Sequence, residues 1–124
     1  RSSAQTAALV LKINVKTLRI ELDERLDALD SLEPLTDALP DAAPRYILLS
    51  YALRHADGRT SYPLVGIAYL PHGCNDASRM LFASNASWIF ERAGIGGRIH
   101  EVRDAEQLTD AWLTQQITSS LTRA

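Results

Sequence analysis

The chain has 124 residues, a formal net charge of −2 and 46% hydrophobic residues. That length suits one globular domain over residues 1–124, burying roughly two thirds of its unfolded surface. Acids and bases are interspersed, and no stretch reaches the basic density that phosphate-backbone binding needs, which argues against nucleic acid as a partner. The single cysteine, Cys74, rules out an internal disulfide and suits a reducing compartment. The longest apolar run, Leu64 to Leu70, falls far short of the roughly 20 residues that span a bilayer. The first residues do not read as a signal peptide, and a start at Arg1 rather than Met suggests a processed or truncated chain.

Ala8 to Asn14 is predicted as a mostly buried strand. Val15-Lys16-Thr17 turns the chain, and Leu18, Ile20 and Leu22 then alternate with Arg19, Glu21 and Asp23, the period of two expected of a strand with one wet face. Ser31 is placed to cap a short helix carrying Leu32, Leu35 and Leu39, with Pro34 tolerated in its first turn. Tyr46 to Leu53 and Tyr62 to Leu70 read as adjacent antiparallel strands in mid-sheet, because their near-continuous apolar character demands cover on both faces. Asp57-Gly58 supplies the tight turn between them. Pro63 falls near the start of its strand, where a missing N–H does least harm.

Asp76 to Arg92 is the longest predicted helix. Phe82, Ala86, Ile89 and Ala93 fall on one face, with Leu81 and Trp88 beside it. Gly94, Gly96 and Gly97 end it, and Arg98 to Val102 forms a short strand. Asp104 is expected to cap the last helix, with Gln107 completing a near capping box. Leu108, Ala111 and Trp112 should pack inward, and Leu113, Ile117 and Leu121 continue the stripe. The order β-β-α-β-β-α-β-α predicts an α+β sandwich: a central mixed sheet of about five strands with helices on both faces.

A search for chemistry returns little. His55, His72 and His100 are scattered, and His72 with Cys74 has no second ligand pair at a suitable spacing, so no metal site is expected. Cys74 has no base that sequence alone can place beside it, and it reads as a half-buried structural thiol. Gly94-Ile95-Gly96-Gly97 follows a helix and leads into a strand, which is a helix stop and not a phosphate loop. Asp23, Glu24, Asp27 and Asp30 read as a solvated face. No enzyme signal and no cofactor site survive, and what remains is a binding surface.

The blocks AALVLKIN, LPDAAPRYILLSY, HADGRTSYPL, PHGC, RMLFAS and IHEVRDAEQLTDAWL resemble the glia maturation factor family, a branch of the actin-depolymerising factor/cofilin homology fold. RMLFASN is also similar to the cofilin pattern that opens the long helix. HADGRTSYPL and LTDAWL favour the glia maturation branch. The resemblance implies a non-enzymatic regulator that binds the actin-related protein 2/3 complex, inhibits its nucleation, promotes filament debranching and binds actin itself poorly. The alternative it leaves open is a cofilin-type protein that binds and severs filaments. It further implies a cytoplasmic protein of the actin cytoskeleton, at cortical patches or the leading edge and also in the nucleus.

The same resemblance points to Arg79 and Met80 at the start of the long helix, with Ser84 one turn on, as the protein-binding surface. Arg103 and Glu106 before the last helix form its remaining edge, where Asp104 reads first as a cap. Arg54, His55 and Arg59 crowd the hairpin tip, and Asp57 reads there as a turn residue. The family places a helix before the first strand, and residues 1–6 match only the link after it. An exposed apolar strip with Val10 or other strand residues accessible is therefore expected on an otherwise monomeric protein, a strip that can permit association.

Overall fold

The computed structural model describes residues 5–95 and 99–122, with side chains through residue 119. Strands β1 (Thr6–Asn14) and β2 (Arg19–Leu29) form the first hairpin. Its turn is built on Asn14, whose side-chain oxygen accepts from the N–H groups of Lys16 (2.9 Å) and Thr17 (3.2 Å). Short helix α1 (Glu33–Ala38) follows, then β3 (Arg45–Ser50), a small ribbon of β4 (Leu53–Arg54) and β5 (Thr60–Ser61), and β6 (Leu64–Tyr69). Helix α2 (Asp76–Arg92) leads to β7 (Ile99–Val102), one 3-10 turn (Ala105–Gln107) and α3 (Asp110–Thr122).

The main sheet runs β2-β1-β3-β6-β7. All neighbours are antiparallel except β6 and β7, which are parallel and joined through α2. The paired β3 and β6 stand in mid-sheet, as their apolar runs require. Each run ends sooner than its composition suggests. Pro63 has no N–H to give the ladder, and the chain crosses there with a single bond from Tyr51 N–H to the Pro63 carbonyl (3.1 Å).

Alternation along the strands sorts the core into two layers. Val10, Ile47, Leu49, Val65 and Ile67 face α1 and α3, where Leu35, Leu113 and Ile117 meet them. Ile13, Tyr46 and Ala68 face α2, under Phe82, Ala86, Ile89 and Phe90. The Tyr46 hydroxyl donates to the Phe82 carbonyl at 2.6 Å, so this buried phenol oxygen is satisfied.

Several local expectations change. Ser31 is not the helix cap: Leu32 holds that position without a side-chain cap bond, and Ser31 Oγ accepts from Glu33 N–H one step away at 3.3 Å. The orphan Leu32 N–H is served from α3 instead, by Asp110 Oδ2 at 3.0 Å. Asp104 caps the 3-10 turn, accepting from Glu106 N–H at 3.0 Å, while Thr109 Oγ1 accepts from Trp112 N–H (3.1 Å) at the start of α3. The extra turn shifts the phase of α3, leaving Ala111 exposed and Trp112 half-buried. Cys74 is buried rather than half-buried. Gly96, Gly97, Arg98 and the Leu121 side chain lie outside the described residues.

A thinly covered strip of sheet is present, but at other strand residues than Val10. Val10 is fully buried because it points toward α1 and α3. Its neighbours Leu9 and Leu11 point the other way and are only half-covered, beside exposed Ile20 and Leu22 on the edge strand. There the sheet bears a groove of about 740 Å³ whose walls include Leu9, Leu48, Leu64 and Ile95.

Candidate protein-docking surface

Pairing at the end of the sheet determines which predicted residues meet. Tyr69 pairs with Val102, and Leu70 N–H donates to the Val102 carbonyl at 2.8 Å. The segment that opens α2 and the segment carrying Arg103 and Glu106 therefore leave the sheet side by side. The β4–β5 ribbon leaves from the other end of β6, a strand of about 20 Å away. The structure thus splits the predicted residues into two groups: Arg79, Met80, Ser84, Arg103 and Glu106 at one end, and Arg54, His55 and Arg59 at the other.

Asn75 caps α2, its side chain accepting from Ser78 N–H at 2.8 Å. Arg79 folds back along the first turn. One terminal nitrogen donates to Asp76 Oδ1 at 2.8 Å and the other to the Cys74 carbonyl at 3.4 Å. Its Nε is buried and has no partner among the described residues. Met80, next in sequence, projects outward and is 71% exposed. Ser84, four residues on, is exposed, and its hydroxyl is already spent on the Leu81 carbonyl at 3.2 Å. Arg103 is paired with Glu101 at 2.7 Å, and Glu106 is exposed.

At the ribbon, Gly58 adopts a φ of 92°, the left-handed conformation that the turn needs. The Asp57 carboxylate accepts from Arg59 N–H at 3.1 Å and from Arg59 Nε at 2.7 Å. These two bonds, the backbone one first, hold its pKa below the ordinary aspartate value. His55 Nε2 and Ser61 Oγ lie 2.8 Å apart. Arg54 is exposed and has no carboxylate in salt-bridge range among the described residues.

Sequence reasoning missed Trp88. Expected beside the buried face of α2, it is 53% exposed with the Arg92 guanidinium 4.8 Å from its ring centroid, while Phe90 takes the buried place. Trp88 sits about 100° around the helix from Ile89, and that angle was the available signal. Ala93 is exposed as well, since α2 ends before it. Among the described residues no group of His, Cys, Asp or Glu is arranged to hold a metal, and no helix is long and apolar enough to cross a membrane.

A five-stranded mixed sheet between helices, with a long helix showing an apolar outer residue at its start, defines a protein-binding domain of the actin-depolymerising factor class. The family model for cofilin/tropomyosin-type actin-binding proteins matches residues 1–118. Human glia maturation factor beta is 35% identical over 117 residues, covering 94% of this chain and 81% of the relative. The glia maturation factor of Drosophila melanogaster is 33% identical over 115 residues, covering 93% and 82%. The solution structure of glia maturation factor from Caenorhabditis elegans superimposes with a TM-score of 0.76 at 31% identity, covering 92% of this chain and 81% of that one. The chain belongs to the glia maturation factor branch of the actin-depolymerising factor/cofilin family. Its members are actin-binding regulators of the cytoskeleton without enzymatic activity.

Proposed function

We propose that residues 1–124 act as a single monomeric domain that binds the actin-related protein 2/3 complex, inhibits actin nucleation and promotes removal of filament branches, while binding actin itself weakly. Met80 and Ser84 on α2, with Arg79 beside them and Arg103 and Glu106 along the edge, form the main contact. Arg54, His55 and Arg59 at the ribbon form a second grip. The setting is the cytoplasmic actin cytoskeleton.

The observation that carries this reading is the outer face of α2. A filament binder steered by charge needs several free cations there. Here Arg79 is consumed by Asp76 and the Cys74 carbonyl, and Arg92 is stacked on Trp88. What α2 offers instead is an exposed thioether, an adaptable apolar contact. The test is a parallel co-sedimentation and pull-down of the protein against purified branching complex and bare actin filaments. Retention by the complex and little by filaments supports the reading. Strong filament binding with severing moves the function to the cofilin type.

A further inference from the structure

Trp88 stands in the third turn of α2, well past the turns that carry Arg79 and Met80. On a helical wheel at about 100° per residue, Ser84 lies almost opposite the centre of the buried set Phe82, Ala86, Ile89 and Phe90. Met80 and Trp88 then fall about 40° to either side of it, with Trp88 about 12 Å further along the axis. All three are exposed. The outer surface of the helix thus carries two large apolar side chains with a small serine between them.

The indole is only partly provided for within the chain. The Arg92 guanidinium covers it on one side, 4.8 Å from the ring centroid, and 53% of the residue stays exposed. Among the described residues its N–H meets no acceptor. A fully covered aromatic side chain removes about 150–250 Å² from water, and for Trp88 roughly half of that gain is still open.

We infer that Trp88 is a second anchor, which extends the contact beyond the first turns of α2 to a separate patch of the same partner. The inference rests on the docking reading above and adds a residue to it. The occupant is the same partner because one rigid helix presents Met80, Ser84 and Trp88 on a continuous surface. The chemistry that fits is an uncharged apolar shelf bearing a hydrogen-bond acceptor for the indole N–H, such as a backbone carbonyl. A basic shelf would meet the Arg92 cation. An acidic shelf would use Arg92 and leave the ring itself unused.

The test has two arms, both with purified branching complex. Hydroxyl-radical footprinting read by mass spectrometry measures the oxidation of Trp88 in the parent protein, free and bound. Affinity is measured for the parent, Trp88→Phe, Trp88→Ala and Arg92→Gln, with thermal melting as the fold control. Trp88 oxidation is expected to drop on binding. Trp88→Ala should bind at least about tenfold more weakly, as expected of an interface anchor. Trp88→Phe keeps an aromatic ring and loses the N–H, and should lose about threefold. Arg92→Gln should lose less than about threefold, since an exposed cation–π contact is a weak one.

Unchanged oxidation of Trp88 in the bound parent overturns the inference, and that arm needs no variant to fold. Trp88→Ala binding within about threefold of the parent overturns it too, because an anchor cannot be truncated at so small a loss. A loss of about tenfold or more in folded Arg92→Gln also overturns it, since the guanidinium would then be holding a partner carboxylate. A parent protein that does not bind the complex at all overturns the docking reading itself, a result distinct from these three.

Discussion

Phe90 lies so close to Gly66 that no side chain fits between them: a Cβ at Gly66 would meet Phe90 Cδ1 at 2.8 Å. The ring is fully buried and meets Tyr46 edge-on, with centroids 5.7 Å apart. This contact seats α2 on β6 and so sets where Met80 is presented. Gly66→Ala is expected to cost about 1–3 kcal/mol through overpacking, read as a lower denaturation midpoint with an unchanged slope.

Asp110 ties three elements together. Its Oδ1 accepts from the Tyr51 hydroxyl at 2.9 Å and its Oδ2 from Leu32 N–H at 3.0 Å. Asp110→Ala strands the Leu32 N–H and leaves the Tyr51 hydroxyl only Thr114 Oγ1, at 3.3 Å, and is expected to cost about 1–3 kcal/mol. Asp110→Asn keeps one acceptor oxygen and should recover part of that loss. Thermal melting of the two variants gives the comparison, and equal melting temperatures to the parent would contradict this assignment.

Alkaline pH should destabilise the fold through its buried tyrosines. Burial raises the pKa of Tyr46, Tyr51 and Tyr69 above the ordinary value of 10.0. A raised folded-state pKa means the native state holds its protons longer than the unfolded chain does. The associated stability is complete below pH 10 and is lost as pH rises beyond it. Denaturant titrations between neutral pH and pH 11 should show a falling midpoint, less steep in Tyr46→Phe. A flat profile across that range would be inconsistent with these three burials.

The two ribbon arginines should behave differently. Arg59 is tied to Asp57 on the surface, so Arg59→Ala should leave stability near the parent's and weaken binding less than loss of a free cation would. Among the described residues Arg54 has no such partner, which leaves it able to face a partner's anion. Arg54→Ala should slow association and flatten its salt dependence, with a smaller effect on dissociation. Stopped-flow association with the branching complex at two salt concentrations distinguishes them. Equal effects at both residues would remove the argument from ion pairing.

Much of the fold was legible because strong local signals agreed with the global arrangement. The apolar runs around Ile47 and Ile67 demanded a covered central position. Asp76 and Arg92 bounded α2 because the Asn75 cap and Gly94, at a φ of 84°, punctuate it. The misses lie where tertiary contacts decide. Leu32 needs no side-chain cap because Asp110, 78 residues away, serves its N–H. The 3-10 turn at Ala105–Gln107 shifted the start of α3 past Asp104. Arg79 and Met80 could be picked out as neighbours, but their opposite fates, one folded back on Asp76 and the other projecting, depend on a side-chain geometry that spacing does not determine.

The central claim is a preference for branch junctions over filament sides, and it is tested most directly by imaging single branched filaments during flow-in of the protein. The account predicts that branches detach faster in proportion to bound protein while mother filaments stay whole, and that Met80→Ala loses most of this acceleration with its melting temperature unchanged. Unchanged branch lifetimes, or filaments cut along their length at the same protein concentration, would contradict it.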